Sequence, residues 1–282
     1  MLNVKDFYDP VTGSFSYLLE DSQSRECVVI DPVLNFDIIS GRISTSTIEP
    51  VIDYIGANKL KLQWILETHA HADHLTAAQQ LKTACGGNIA IGVGIVEIQK
   101  SFKEIYGFSD DFDTSGMSFD RLLQEGDEVR FGEYSIEVLA TPGHTKDSLT
   151  YRLENYLFIG DTLFHPSLGS ARCDFPGGDA KLLFKSIQRI LSHNNDTVLC
   201  LCHDYPDSKR KAETFISIDD MKSNIHVQAA NNKTDDFVTI REQRDSGLAL
   251  PKLIIPSIQV NIQAGIKLTE EIPPLLWPIN RF

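Results

Sequence analysis

The chain has 282 residues, of which 42% are hydrophobic, so it can bury a large core as one domain with an additional segment. Its net charge is −13 at pH 7. The negative charge argues against a nucleic-acid partner and, more weakly, against an anionic membrane surface. There is no apolar run of membrane-spanning length, no secretory-signal pattern and no close-spaced framework among the five cysteines, so we expect a cytoplasmic protein without a membrane partner.

The first part of the chain alternates strands with helices. Three strands and one helix (48–55) are predicted from runs of strand formers and from apolar spacing, with the strands at residues 15–19, 27–30 and 64–67. The segment from Leu75 to Cys85 carries apolar residues at a helical spacing and stops at a glycine pair. The residues between the third strand and this helix, T-H-A-H-A-D-H, therefore lie on a strand-to-helix turn.

This turn concentrates residues that bind metals. Three imidazoles and one carboxylate fall within six positions, namely His69, His71, Asp73 and His74. The first two can converge on one point, and Asp73 and His74, opening the helix, on a neighbouring point. Taken singly, each histidine could be structural and Asp73 could be a helix N-cap. Four such groups would be costly to leave unpaired, so together they indicate a site for one or two transition-metal ions.

Three further candidate ligands follow predicted strands in the second half of the chain. These strands, which end just before His144, Asp161 and His203, are predicted at residues 135–139, 156–159 and 198–202. Gly143 allows the sharp turn that would project His144 at a strand end. Singly, His144 could be structural and Asp161 a turn residue. Loops at strand ends bring distant residues together, so the joint pattern favours one site.

The remaining segments complete the predicted architecture. Amphipathic helices are expected over residues 95–106 and 180–191, and the polar loop 110–118 is expected to border the site. Later, polar helical segments give way to an apolar stretch that is interrupted by prolines. We interpret residues 1–210 as the catalytic domain and residues 211–282 as a helical and extended lobe that packs on it and contributes to a substrate pocket.

The order of four motifs resembles that of the metallo-β-lactamase superfamily. The motifs are T-H-A-H-A-D-H, T-P-G-H-T, G-D-T-L-F and C-H-D-Y. The resemblance implies an α/β fold, a four-layer αβ/βα sandwich with a metal site on one edge between two β-sheets, and a short C-terminal lobe. In the family's binuclear pattern, the first metal is held by His69, His71 and His144, the second by Asp73, His74 and His203, and Asp161 bridges them.

The segment after Asp161 resembles the persulfide dioxygenase and β-lactamase-hydrolase-like branch, which is related to glyoxalase II. Arg172, Asp174 and Phe175 match the motif of this branch, whereas Ser170 stands where many dioxygenases have glycine. The Arg172 guanidinium could pair with Asp174 or with a substrate carboxylate.

This branch implies one non-haem Fe(II) ion, held by His69, His144 and Asp161. The other four residues of the set would orient the ligands and bound water, or hold a second metal ion: His71, Asp73, His74 and His203. The candidate catalytic residues are Asp73, His74, Arg172 and Tyr205.

The implied reaction is the oxidation of glutathione persulfide by O2 to sulfite and glutathione. A local basic patch would hold the anionic thiol, and Arg172, Lys252 and Lys267 are the candidates. Gln263 stands where relatives have a basic residue, and Cys173, in a polar loop, is interpreted as structural. Two alternatives use the same fold: a hydroxyacylglutathione hydrolase with one or two Zn²⁺ ions, and a non-catalytic binding protein. A homodimer is left open.

Overall fold

Two six-stranded sheets form the centre of the computed structural model, which describes residues 1–208 and 210–265. The first sheet has the order β1 (Leu2–Asp9), β2 (Ser14–Asp21), β3 (Glu26–Ile30), β6 (Lys61–Leu66), β8 (Asn88–Gly92) and β9 (Arg121–Leu123). The second follows chain order through β10 (Glu128–Phe131), β11 (Tyr134–Ala140), β12 (Leu149–Leu153), β13 (Tyr156–Phe158), β14 (Val198–Cys200) and β15 (Phe215–Ser217). A small third sheet contains β5 (Arg42–Ser44), β4 (Val33–Asp37) and β7 (Leu75–Thr76).

Helices cover the outer faces of both large sheets. The first sheet packs against α1 (Glu49–Ala57), α2 (Ala78–Cys85), α3 (Ile95–Tyr106) and, from the end of the described chain, α8 (Ile254–Asn261). The second packs against α4 (Ala180–Leu191), α5 (Ile218–Met221), α6 (Ile225–Ala230) and α7 (Thr234–Asp245). None of the described helices combines the length and apolar character needed to cross a membrane.

The alternation of side chains along β2 shows how the layers are built. Phe15, Tyr17 and Leu19 lie in the core between the two sheets, whereas Leu18 lies in the core between the first sheet and its helices. Successive side chains of a strand point to opposite faces, so a strand buried on both sides serves two cores. The order helices, sheet, sheet, helices confirms the predicted four-layer sandwich.

The predicted helix over residues 75–85 is wrong at its start. Leu75 and Thr76 form β7, which pairs with Leu34 and Val33 of β4, and the helix begins only at Ala78. Apolar spacing cannot reveal this, because the pairing with β4 decides the backbone conformation. Consequently Asp73 and His74 do not open a helix but precede a short strand.

Two other regions differ from the simplest expectation. Loop 110–118 lies on α3, where Lys103 Nζ donates hydrogen bonds to Asp110 O at 2.9 Å and to Phe112 O at 3.1 Å. None of the loop's residues lines the cavity described below, so the expectation that it borders the site was wrong. The second sheet takes in β15, which lies beyond residue 210, and the helices α5 to α8 follow it. The division into two domains stays a prediction.

Candidate metal centre

The loop of residues 67–74 connects β6 to β7 and is held by side chains from other parts of the chain. Asp31, which follows β3, accepts hydrogen bonds from Thr68 N at 2.7 Å and from Thr68 Oγ1 at 2.9 Å. Asp147 Oδ2 accepts another from Ala70 N at 2.8 Å. Both carboxylates are buried. They satisfy backbone donors that a buried loop would otherwise leave unpaired, and this fixes the directions in which the loop's imidazoles point.

Three side chains from different parts of the chain meet at one point, which we call the first group: His69, His144 and Asp161. Their donor atoms all lie within 4.8 Å of one another. Asp161 Oδ2 lies 3.9 Å from His69 Nε2 and 3.7 Å from His144 Nε2. All three residues are buried. Two imidazoles with one carboxylate can hold iron or zinc.

His144 owes its position to a tight turn and to one hydrogen bond. Gly143 has a φ of +143°, and a Cβ at this position would lie 2.2 Å from Leu183 N at the start of α4. Only glycine fits there, which agrees with the sharp turn expected from the sequence. His144 Nδ1 donates to Arg172 O at 2.7 Å, so Nε2 is free to face the first group.

A second group of four side chains lies beside the first: His71, Asp73, His74 and His203. Their donor atoms also lie within 4.8 Å of one another. His203 Nε2 lies 3.4 Å from Asp73 Oδ2 and 3.3 Å from Asp161 Oδ1. Asp161 therefore stands between the two groups, where a bridging ligand would lie. All seven residues that the sequence singled out as metal ligands are brought together. The binuclear pattern places His71 with His69 and His144, however, whereas its donor atom groups with those of Asp73, His74 and His203.

Ser14, which sequence reasoning missed, orients two members of the second group. Its Oγ lies 3.2 Å from His74 Nδ1 and 3.2 Å from His203 Nδ1. The hydroxyl is also 2.8 Å from Thr12 Oγ1, which donates to Asp9 Oδ2 at 2.6 Å. A chain of hydroxyls that ends on a carboxylate donates toward that carboxylate, so Ser14 accepts from both imidazoles. In the neutral tautomer that these bonds favour, both Nε2 atoms face the centre without a proton.

The donor atoms of the two groups fit a metal ion. Several are buried and make no well-aligned hydrogen bond with the described residues: both ring nitrogens of His71, Nε2 of His74, Nε2 of His203 and Oδ1 of Asp161. Their polar neighbours are other members of the site, together with Asp31, whose Oδ1 lies 3.1 Å from His71 Nε2. A buried polar atom without a partner costs about 1–3 kcal/mol. A cluster of such atoms, all of metal-ligating types, is explained when a cation lies between them.

The pKa shifts of His69, His71 and Asp73 agree with metal binding. At His203, burial lowers the pKa, but the carboxylates of Asp73 and Asp161 raise it by more. Burial lowers the pKa of His69 and that of His71 well below the usual range, so both imidazoles are neutral, as ligation requires. Burial raises the pKa of Asp73, but the charge that His203 carries when protonated and a hydrogen bond from His74 lower it by more, so the net pKa is well below the usual range. Asp73 is therefore a carboxylate.

Comparison with known proteins identifies the fold that carries this centre. The sequence model of the metallo-β-lactamase superfamily matches residues 9–203. The chain belongs to the metallo-β-lactamase superfamily. A probable metallo-hydrolase of Burkholderia pseudomallei is 42% identical over 275 residues, which cover 94% of this chain and 93% of that protein. The mitochondrial persulfide dioxygenase ETHE1 of Homo sapiens is 31% identical over 205 residues, which cover 72% of this chain and 68% of that protein.

A solved structure supports the same assignment. The crystal structure of ETHE1 from Myxococcus xanthus superposes with a TM-score of 0.74 and 29% sequence identity, over 93% of this chain and 99% of that chain. The predicted superfamily and its sandwich fold are thus confirmed. For this metallo-β-lactamase superfamily member, metal binding is a property of the fold, and the identity of the metal is a separate question.

The loop after Asp161 supports His144 from outside the metal centre. Arg172 donates to both oxygens of Asp174, at 2.7 Å each, and to Ala249 O at 2.8 Å. Its guanidinium also lies 4.7 Å from the centre of the Phe175 ring, which packs edge-on against His144. Asp174, one of the two partners that the sequence left open for Arg172, is in contact with it. The residue therefore tethers its loop to the segment after α7, while its proposed catalytic role stays a prediction.

A large open cavity leads to the metal centre. Its volume is about 1130 Å³, and it is lined by Asp73, His144 and Asp161 among others. Tyr205 lines it too, with its hydroxyl 3.5 Å from Asp73 Oδ2 and its ring stacked on His203 at 5.9 Å. The half-buried position of Tyr205 and the carboxylates of Asp73 and Asp161 raise its pKa, so the phenol keeps its proton.

The other residues predicted near the substrate do not share one location. Lys252 lines the cavity. Gln263 does not, and its Nε2 donates to Gln259 O at 2.7 Å. Burial raises the pKa of the Cys173 thiol, which fits a structural residue. Lys267 lies outside the described residues.

Asn261, the last residue of α8, is a further residue whose role the sequence did not reveal. Its Nδ2 donates to His71 O and to His74 O, each at 2.8 Å, and its Oδ1 accepts from Thr76 N at 2.8 Å. The buried carboxamide thus uses both of its donors and its acceptor on the backbone of the ligand loop. The only sequence signal was that Val260-Asn261 lies in a run resembling relatives. That resemblance does not indicate what Asn261 does.

Proposed function

We propose that this chain is a persulfide dioxygenase that oxidises glutathione persulfide at one Fe(II) ion. In the balanced reaction, a persulfide RSSH, O2 and one water molecule give the thiol RSH, sulfite and two protons. The terminal sulfur loses four electrons, which reduce O2, and the S–S bond breaks so that the thiol keeps its own sulfur. The site therefore has to hold the persulfide and O2 side by side and to control protons.

The observation that carries the proposal is the composition of the first group and its access to solvent. His69, His144 and Asp161 are two imidazoles and a carboxylate, and the last two line the cavity. Three ligands on one face of an ion leave positions open on the other, an arrangement typical of non-haem iron oxygenases. A bound Fe(II) ion would supply the point at which O2 and the persulfide sulfur react.

The residues of the chain would position the reactants around that point. The hydrogen bond from His144 Nδ1 to Arg172 O holds the imidazole in the tautomer that ligates through Nε2. Tyr205 keeps its proton and lines the cavity beside Asp73, so its hydroxyl can donate to an anionic sulfur–oxygen product. The large cavity admits the thiol part of the substrate. Similarity to the human persulfide dioxygenase ETHE1 supports the same class of reaction.

The test joins metal analysis to turnover. The protein is prepared without oxygen, loaded with Fe(II), and assayed for O2 uptake and sulfite release with glutathione persulfide. His144→Ala and Asp161→Ala should each lose tight iron binding, because each removes one of three protein ligands. Asp73→Ala and His203→Ala should keep most of the iron. His193→Ala, which changes a histidine outside both groups, is the matched control and should resemble the parent.

A second candidate function rests on the second group. Its four donors are complete and lie within 4.8 Å of one another, so the same site could hold two Zn²⁺ ions and generate a hydroxide nucleophile for thioester hydrolysis. The similarity to a probable metallo-hydrolase fits this alternative. Two zinc ions per chain, equal metal loss from all four ligand variants, and cleavage of lactoylglutathione without O2 uptake would establish the hydrolase. If the ligand variants lose metal but the parent turns over neither substrate, only a binding role remains.

A further inference from the structure

The mouth of the cavity is apolar and exposed. We define the mouth by four exposed side chains that line the cavity: Val11, Ile38, Ile39 and Leu248. Ile39 is 94% exposed and Val11 80% exposed, values that are rare for such residues in a folded chain. Among the twelve large hydrophobic residues that are exposed in the described chain, these four and Tyr205 line this one cavity. Clustered exposed apolar groups at a ligand site indicate that something covers them.

The two walls of the mouth are held by hydrogen bonds, so the exposure does not come from frayed segments. At the tip of the β4–β5 hairpin, Asp37 Oδ1 accepts from Ile39 N at 2.8 Å and from Ser40 N at 2.9 Å. On the opposite wall, Ala249 O, next to Leu248, accepts from Arg172 at 2.8 Å. Because Arg172 belongs to the loop that supports His144, this wall is tied directly to the metal centre.

Positive charge accompanies the apolar side chains. Arg42, Arg244 and Lys252 line the same cavity, and no carboxylate of the described residues lies at salt-bridge distance from them. Asp37, which also lines the cavity, faces Arg42 across the β4–β5 hairpin. The chain as a whole carries a net charge of −13. Asp37 offsets part of the charge of Arg42. The three cations together still attract an anion locally, since the general field is screened beyond roughly 10 Å at 0.1 M salt.

The cavity is also larger than a small thiol needs. Pockets for small ligands typically measure about 300–1,000 Å³, whereas this one measures about 1130 Å³. We propose that the preferred persulfide is carried by an amphipathic thiol. Its sulfur lies at the first group, its apolar chain lies against the mouth, and an anionic group at its far end meets Arg42, Arg244 or Lys252. This inference rests on the proposed dioxygenase function, whose balanced reaction is unchanged. It makes glutathione persulfide a substrate that is oxidised with lower preference than the persulfide of the amphipathic thiol.

The experiment uses a series of probes that differ only in length. The persulfides of 3-mercaptopropanoate, 6-mercaptohexanoate and 8-mercaptooctanoate are compared on the iron-loaded enzyme, with glutathione persulfide as reference. We expect kcat/KM to rise about twofold for each added methylene, or about thirtyfold over the series, because a methylene at an open mouth is only partly buried. Neutral probes that end in a hydroxyl should be about tenfold poorer than the acids of the same length.

Variants of residues at the mouth provide a second test of the length dependence. The double variant Ile39→Ser/Leu248→Ser should reduce the eight-carbon to three-carbon ratio of kcat/KM about tenfold. Met117→Ser, at a residue that is 82% exposed but does not line the cavity, is the matched control and should leave the ratio unchanged. If kcat/KM does not depend on length while glutathione persulfide is oxidised, the amphipathic thiol is excluded and the dioxygenase stands.

Binding measured without turnover separates the two proposals. The S-methyl thioethers of the three acids cannot be oxidised as persulfides, and calorimetry gives their Kd values on the metal-loaded protein. If no persulfide is oxidised, yet affinity rises with length and the double variant removes that rise, the ligand class stands and the dioxygenase fails. If sedimentation shows a dimer that the double variant dissociates, and affinity is independent of length, then a second copy of the chain covers the mouth and the inference is overturned.

Discussion

Asn261 illustrates how a side-chain amide can affect metal affinity without being a metal ligand. Replacing it with alanine would leave the carbonyls of His71 and His74 and the N–H of Thr76 without their buried partner. Loss of an outer partner of this kind typically weakens metal affinity 10–100-fold. We therefore expect Asn261→Ala to raise the Kd for the metal ion by about 10–100-fold, as measured by competition with a chelator of known affinity.

A neighbouring glutamine supplies the control. Gln263 follows the same helix, but its side chain bonds to Gln259 O rather than to the ligand loop. Gln263→Ala should therefore bind metal like the parent. Parent-like affinity in Asn261→Ala would mean that Asp31 and Asp147 are sufficient to hold the loop.

Arg172 and Asp174 should behave as a unit in stability measurements. Their bidentate ion pair is partly buried, with side chains 12% and 36% exposed. We expect a coupling free energy of about 1 kcal/mol from the unfolding of the parent, Arg172→Ala, Asp174→Ala and the double variant. Arg130 and Glu128, an ion pair whose side chains are 79% and 53% exposed, form the control cycle and should give coupling near zero. Equal coupling in both cycles would contradict the tethering role of Arg172.

Single residues differ in how far the sequence predicts them. The seven candidate ligands could be predicted because imidazoles and carboxylates packed at strand ends are improbable without a cation. Asn261 and Ser14 could not, because amides and hydroxyls that bond to a backbone or a ring nitrogen have no distinctive spacing. Asn261 also lies 190 residues from His71, so no local pattern connects them.

At the scale of elements, a buried histidine links the packing of α6 and α7 to pH. Burial and the charges of Arg241 and Arg244 lower the pKa of His226 to about 4. In the unfolded chain a histidine has a pKa of about 6.5, so the folded state binds the proton less tightly. The free energy of unfolding should therefore be highest above pH 6.5 and fall as the pH drops toward 4, because protonation favours the unfolded chain.

The measurement compares parent and variant in denaturant between pH 7 and pH 4.5. In His226→Asn, the amide oxygen can replace Nδ1 as acceptor for Ser170 N, a bond of 2.9 Å in the parent, but it does not titrate in this range. The variant should lose less stability than the parent as the pH falls. Identical pH profiles would show that His226 is not the responsible group.

Elements could be predicted where local and tertiary preferences agree. The helices over 95–106 and 180–191 have the expected bounds, because each has an apolar face and α4 also has the N-cap Asp179. The strand Leu75–Thr76 was missed because two residues give no period, and its pairing with β4 is decided elsewhere in the chain. Loop 110–118 was misplaced because polarity shows that a loop is exposed, not which surface it covers.

At the scale of the whole molecule, a bound metal should stabilise the packing of the two sheets, because its ligands follow strands of both. His69 to His74 follow β6 of the first sheet, whereas Asp161 and His203 follow β13 and β14 of the second. An ion that binds only the folded state at a free concentration of 100 times its Kd stabilises that state by about 2.7 kcal/mol. We expect reloading of metal-free protein to raise the Tm by roughly 5–10 °C, measured by calorimetry, and His144→Ala to show a smaller rise.

The fold as a whole could be predicted from the order of its motifs, because four ligand-bearing turns in sequence specify a known sandwich. The attachment of the C-terminal helices could not. α8 returns to the first sheet, which lies far away in sequence, and only packing determines that return. Composition indicated a lobe, but not that α8, the last helix of the described residues, would reach the ligand loop.

The position of Asn261 also sets an order of events during synthesis. The ribosome has made all seven candidate ligands once His203 is added, but Asn261 follows 58 residues later, from 203 to 261. At about 5–20 residues per second this interval lasts roughly 3–12 s. A nascent chain at this stage has its ligands without the amide that orders their loop, so we expect it to retain an ion more weakly than the finished protein does.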